Sequence, residues 1–192
     1  MSVCDLVLKS RSYRSYSPDR PVTEEELRAL VECARNCPSA VNKQFLRYRL
    51  CFTPADMQTV LPLTKWAGLL PDLQLPPAGH EPPAAIVICH DRTVTQAEDA
   101  SRWDVGITAQ TMLLAATEMG LGGCMVGNFG KEKMQAALGL PEHLLPVLVV
   151  FVGTPDEEII LEPLAEGGNT AYYRDGEGRH HVPKRGMEEL LV

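Results

Sequence analysis

Apolar residues return at Leu27, Leu30, Val31 and Ala34, a spacing that lays them along one face of a helix. Thr23 and Glu26 form a capping box ahead of that stripe, so a helix is expected over Thr23 to Arg35. Residues 3 to 9 allow a shorter helix before it. From Phe45 to Phe52 the pattern changes to a strand, with Phe45, Tyr48, Leu50 and Phe52 available to its faces. The run "TPADMQTVL" starts another short helix, capped by Thr53 with Pro54 at its first position. "AAIVICH" (Ala84 to His90) is uniformly apolar up to its last residue, as suits a buried strand. Asp99 to Met119 reads as a long helix with its charges gathered at the ends, Asp99, Arg102 and Asp104 at the start and Glu118 at the finish. Between them nearly every face is apolar or small, so the helix must be covered all round. A second subunit is one source of that cover, and the chain's own packing is the other. A strand "CMVG", a helix around Lys131 to Leu138 and a strand from Val147 to Gly153 follow. The order α, α, β, α, β, α, β, α, β argues for a mixed sheet with helices over it. The tail from Thr154 onward reads as irregular, with a short helix near Met187 to Leu191.

Residues 62 to 83 are rich in Pro and Gly and predict no regular element beyond a turn near Trp66. A loop of that length in a compact domain is often a lid or a binding segment. Trp66 either lines a pocket there or anchors the loop by packing. A length of 192 residues suits one domain, 1–192, with a core that needs no disulfide staples. The net charge of −7 lacks the dominant basic face that general nucleic-acid binding needs. The longest uncharged stretch, Val105 to Thr117, is shorter than the ~20 residues of a membrane span. Asp5 and Lys9 interrupt the apolar residues of the N-terminus, so no signal peptide is expected. The six cysteines form no C-x-x-C pair; a cytoplasmic protein with reduced cysteines is the simplest reading. Cys33 and Cys37 can share a helix face and read as small buried apolar residues.

Charge position says more than net charge. Lys9, Arg11 and Arg14 stand near the start with Ser10 and Ser12 between them. Arg174, Arg179, His180, His181, Lys184 and Arg185 stand near the end. Two basic clusters with interleaved hydroxyls suit a phosphate group, or else are two solvated patches. "GLGGCMVG" (Gly120 to Gly127) follows a helix and precedes a strand, the reverse of a dinucleotide loop. It reads instead as a helix end followed by a strand that something approaches closely, where backbone N–H groups can face a flat ligand. No nucleophile stands beside a base, no G-x-S-x-G occurs, and no dense metal-ligand spacing appears. An enzyme built from these residues would use a bound cofactor.

Several segments together resemble the nitroreductase family of FMN-dependent oxidoreductases. "SRSYRSY" (Ser10 to Tyr16) is similar to its R-R-S-x-R-x-F/Y motif, and "CPSAVNKQ" to its A-P-S-[SA]-x-N-x-Q-P-W segment. "WDVGITAQTMLLAATEMGLGGCMVGNF" resembles its D-x-G-x-A-x-Q helix with the strand that follows, and "YYRDGEGRHHVPKR" the tail of small members. The resemblance implies an α+β fold, a central mostly antiparallel sheet flanked by helices, and an intertwined homodimer with two FMN molecules at its interface. By matching position, Arg11 and Ser12 would contact phosphate and ribityl, beside Ser10 at the first motif position. Arg14 would reach the pyrimidine side of the flavin, and Lys184 and Arg185 would complete the phosphate site. Pro38, Ser39 and Ala40 would pack on the flavin from the other subunit, with Asn42 and Gln44 beside them. Val126, Gly127 and Asn128 would offer backbone donors near N5 and O4.

The implied chemistry is ping-pong. NADH or NADPH gives hydride to flavin N5 and leaves, and a small electron-poor acceptor such as a nitroaromatic or quinone is then reduced. The family also holds dehalogenation, azoline oxidation and flavin cleavage, with the loop 62–83, containing Lys65, Trp66 and His80, expected to choose among them. The alternatives are a flavin-binding carrier or sensor without dedicated turnover, and a scaffold that binds no flavin. Three departures stand out: Ser10 replaces a frequent Arg, Phe45-Leu46 replaces Pro-Trp, and Thr111 replaces a common Asn.

Overall fold

A computed structural model describes all 192 residues. The chain runs α1 (Val3–Lys9), α2 (Glu24–Arg35), β1 (Leu46–Cys51), α3 (Pro54–Val60), β2 (Ala84–Asp91), α4 (Arg102–Glu118), β3 (Gly122–Val126), α5 (Lys131–Ala137) and β4 (Leu144–Gly153). Three further strands close it: β5 (Ile159–Pro163), β6 (Tyr173–Arg174) and β7 (His180–Lys184). The α/β order up to β4 is the one the apolar pattern predicts. The capping boxes of α2 (Thr23 with Glu26) and α3 (Thr53 with Asp56) are both formed. The long helix enters through a 3-10 turn at Glu98–Ser101 and becomes α-helical at Arg102.

The first four strands make one antiparallel sheet in the order β1-β2-β4-β3. Every residue of β2 is buried, because the sheet is covered on both faces. Ile86, Ile88, Val150 and Val152 point to the face under α2 and α4, with Leu27, Leu30, Met112 and Ala116. Val87, Cys89, Val149 and Phe151 point to the other face, against Val60 of α3 and Met134 of α5. β4 begins three residues earlier than its Val147 to Gly153 run suggests. Pro146 is tolerated there because β3 pairs only with Val149–Gly153, and the β2 register shifts beside it, between Ile88 and Cys89.

The tail is the main correction to the sequence reading. Instead of irregular chain, residues 159–184 form a second sheet in the order β5-β7-β6, with β5 parallel and β6 antiparallel to β7. Its strands carry little apolar alternation, so hydrophobic periodicity does not reveal them. Side-chain contacts tie them instead. His181 on β7 bonds Glu162 on β5 at 2.9 Å and Asp175 after β6 at 3.1 Å, and stacks on Tyr173 with ring centroids 4.7 Å apart.

The chain's own packing covers α4 on one side only. Asp104, Thr108, Ala109, Met112, Leu113 and Ala116 are buried. Trp103 remains 76% exposed and Ile107 40% exposed, with Gly106 and Gln110 on the same stripe. No helix is long and apolar enough to cross a membrane.

Candidate functional site

The segment 10–16 is fastened to the sheet by its backbone. Ser10 ends α1, with its N–H donating to Leu6 O at 2.8 Å. Ser12 then bridges to Gly123 of β3, and the Tyr13 N–H donates to Gly123 O at 3.0 Å. Tyr16 is fully buried, its hydroxyl donating to Tyr13 O at 2.6 Å. Of the glycines in "GLGG", Gly122 makes this docking fit, and Gly123 lets β3 lie close on β4. A Cβ at Gly123 would lie 2.1 Å from the carbonyl oxygen of Phe151, and one at Gly122 would lie 2.5 Å from the Tyr13 ring. Something does approach that strand closely, as the sequence suggests, and it is the protein's own N-terminal segment.

That docking opens a cleft of about 380 Å³. Ser10, Arg11, Ser12 and Arg14 line one side, Gln110 and Leu113 of α4 with Met125 of β3 form another, and Tyr172, His180 and Lys184 come from the tail. Arg14 is only 9% exposed. Its Nη1 donates to Ser12 O at 3.1 Å and meets His180 Nε2 at 3.2 Å, and its guanidinium lies 4.9 Å from the centre of the Tyr172 ring. No carboxylate pairs with that guanidinium. The Glu157 carboxylate accepts from the backbone N–H groups of Arg14 and Ser15 through Oε1 and pairs with Arg174, not with the Arg14 guanidinium, through Oε2. A desolvated cation left unpaired is costly unless a ligand supplies the anion. Arg11 Nε is also buried without a partner. Burial, then the nearby Arg14 and Arg174, pulls His180 down to about 4, so its ring is neutral at physiological pH.

A second cleft, about 200 Å³, lies around the turn after α2 and is lined by Cys37, Pro38, Ser39, Gln44, Tyr48 and Asp104, among others. The turn is strained: Val41, Asn42 and Gln44 all take positive φ, at 45°, 54° and 53°. Buried Asp104 of α4 pins it, accepting from Ser39 Oγ at 2.5 Å and from the Ala40 N–H at 3.3 Å. Ser39 Oγ in turn accepts from the Gln44 N–H at 2.8 Å. The Cys37 thiol donates to Thr111 Oγ1 at 3.2 Å, so both residues belong to the contact between the end of α2 and α4. Phe45 and Leu46, at the Pro-Trp positions of the motif, are buried in the core.

The expected site residues therefore divide. Ser10, Arg11, Ser12, Arg14 and Lys184 share the first cleft; Pro38, Ser39 and Gln44 share the second. Ala40, Asn42, Val126, Gly127, Asn128 and Arg185 line neither. Gly127 and Asn128 are exposed at the end of β3, with Asn128 O accepting from the Lys65 N–H at 2.9 Å. Arg185 pairs with Glu189 at 3.0 Å. The tail cluster divides as well: Arg174 pairs with Glu157, and Arg179 and His181 with Asp175, which leaves His180 and Lys184 to the cleft. Trp66 packs on Phe151 with ring centroids 4.7 Å apart and bonds Thr64 Oγ1 at 2.9 Å, which makes it a loop anchor in this chain. Asp104, Gln110 and Tyr172 are not among the expected site residues, and His180 is expected only as a member of the tail's basic cluster. Asp104 and Gln110 stand at the D and Q of the helix motif, and the other two lie in the tail segment.

The two clefts use opposite faces of α4. Leu113 of the first is nine residues on from Asp104 of the second, about two and a half turns at ~3.6 residues per turn.

Comparison with known proteins agrees with this architecture. The Nitroreductase family model matches residues 7–154. An oxygen-insensitive NADPH nitroreductase of Salmonella typhimurium is 27% identical over 166 residues, covering 83% of this chain and 68% of the relative. An FMN reductase (NADPH) of Bacillus subtilis is 29% identical over 171 residues, covering 79% of this chain and 65% of the relative. The solved structure of a nitroreductase family protein from Clostridium difficile superposes with a TM-score of 0.65 at 25% identity, covering 82% of this chain and 86% of the other. The fold, the fastened N-terminal motif and the family match agree: the chain belongs to the nitroreductase family.

Proposed function

We propose that this chain is an FMN-dependent oxidoreductase that takes hydride from NADH or NADPH and passes it to an electron-poor acceptor such as a nitroaromatic or quinone. The observation that carries the reading is the buried Arg14 guanidinium, which has no carboxylate against it and stands in a cleft with Ser and Lys donors. Relatives named for NADPH nitroreduction and FMN reduction support it.

When bound, FMN supplies the redox relay between the two substrates. The chain's part is to bind and to bias charge. Arg11, Ser10, Ser12 and Lys184 are the donors for a phosphate, Arg as a fork and Lys as a point charge. Arg14 offers a fixed cation where negative charge would otherwise be disfavoured. Leu113 and Met125 give the cleft its apolar lining. The turn 38–44, held by Asp104, is the wall for the cofactor of a second copy, and the exposed stripe Trp103, Gly106, Ile107 and Gln110 is where two copies meet. A homodimer with two composite sites is the assembly this supports. Six free cysteines fit a cytoplasmic enzyme.

The test is the visible absorption spectrum of the purified protein, before and after heat release of ligand. Flavin bands at one FMN per chain are expected, followed by NAD(P)H oxidation that depends on added acceptor. Colourless protein that also ignores added FMN overturns the reading, and flavin binding without turnover restricts it to a carrier.

A further inference from the structure

His180 has a role beyond lining the cleft. It is 1% exposed, on β7, with Nε2 3.2 Å from Arg14 Nη1. A guanidinium carries donors only, so this contact requires a lone pair on Nε2. The proton of the neutral ring is then on Nδ1, which is buried and has no partner in the protein. A leucine at this place would avoid the buried, unpartnered N–H. What the imidazole adds is an acceptor for Arg14.

Tyr172 completes the arrangement. Its ring is 5.1 Å from the His180 ring and 4.9 Å from the Arg14 guanidinium. The cation is thus held by a ring face, a ring nitrogen and the Ser12 carbonyl, all neutral groups. None of them cancels its charge. The charged groups facing His180 are Arg14 from the N-terminal segment, Arg174 of β6 and His181 beside it on β7. Burial and these charges together keep the ring neutral well below physiological pH, with His180 lowered to about 4.

We propose that His180 is a positioning residue for the flavin-facing cation: as a neutral acceptor from the C-terminal sheet, it fixes the Arg14 guanidinium against Tyr172 without neutralising it. The inference rests on the proposed FMN site, but its first test does not need FMN. Nitrogen-15 NMR of the histidine side chains, with His180 assigned by comparison with His180→Leu, reads the ring directly. A neutral ring protonated on Nδ1 at neutral pH is expected. A protonated ring, or a proton on Nε2, overturns the proposal even if the wild type binds no flavin.

The second test compares His180→Leu with His180→Gln, whose side-chain oxygen can accept from Arg14. Leu is expected to weaken FMN binding about tenfold and to shift the midpoint potential of bound FMN to more negative values, while Gln retains both wild-type values. Thermal stability of the ligand-free Leu variant is expected to be unchanged or higher. Two results overturn the proposal: Leu and Gln impaired equally, or both indistinguishable from wild type in affinity and potential. A wild type that binds no FMN refutes the proposed function instead, and the NMR result still decides the role of His180.

Discussion

Two buried charges, Arg14 and Asp104, stand in the two clefts of this chain and are treated in opposite ways. Asp104 is satisfied by donors of the protein itself, a hydroxyl and a backbone N–H from the turn it pins. Arg14 is held by neutral groups and left without an anion. A buried charge whose partners are all internal stabilises a shape. A buried charge left unmatched lowers stability and is ready for a ligand of opposite sign. The first cleft is therefore ready for an anion in the electrostatic sense, and the second is held in a fixed shape, as the proposed wall requires.

Four substitutions or conditions test that division, in order of expected size. Gly122→Ala forces a Cβ against the Tyr13 ring and pushes the Arg14 segment off β3. A loss of about 3 kcal/mol in chemical denaturation is expected, together with loss of FMN. Wild-type stability in that variant would show that the segment is not clamped there. Arg14→Met should raise the FMN dissociation constant roughly 100-fold while leaving the melting temperature of the ligand-free protein unchanged or higher. A lower melting temperature with unchanged FMN affinity would reverse the assignment of the two charges. Asp104→Ala should do the opposite first: it leaves Ser39 and Ala40 donors unpaired, costs about 2 kcal/mol, and exposes residues 40–44 to protease. If stability holds and only FMN affinity falls, Asp104 belongs to binding rather than to the wall.

The smallest effect concerns the tail sheet that brings His180 and Lys184 to the cleft. Glu162, then Asp175, raises His181 above its ordinary value of 6.5. Its folded-state value thus exceeds its unfolded one, so the stabilisation is complete below pH 6.5 and is lost as pH rises through the raised value. Protection of the β6 and β7 amides, measured as exchange relative to the intrinsic rate at each pH, should fall over that range and stay level with pH in His181→Gln. Identical pH profiles in the two proteins would remove His181 from the account.

The elements legible in the sequence are those driven by apolar burial. α2 announces itself by its capping box and stripe, β2 by its unbroken apolar run, and α4 by apolar residues on faces that the chain covers only in part. The tail sheet is illegible because β5 and β7 are joined by His181, Glu162 and Tyr173 rather than by alternating apolar residues. Of the candidate site, the basic N-terminal motif could be read from charge spacing. That Arg14 lacks a counter-ion could not, since Glu157 lies 143 residues away in sequence and its carboxylate is taken by Arg174. The turn residues Val41, Asn42 and Gln44 include no glycine, so their left-handed backbone is likewise hidden until Asp104 is placed beside them.

The opposite faces of α4 have a genetic consequence. If each active site joins the cation cleft of one copy to the wall of another, a chain damaged at Arg14 and a chain damaged at Asp104 can complement each other. Random reassortment gives mixed dimers as half of the population, each with one intact site and one doubly damaged site, so about a quarter of all sites recover. Two inactive alleles expressed in one cell would then restore activity, and a single chain carrying both lesions would not.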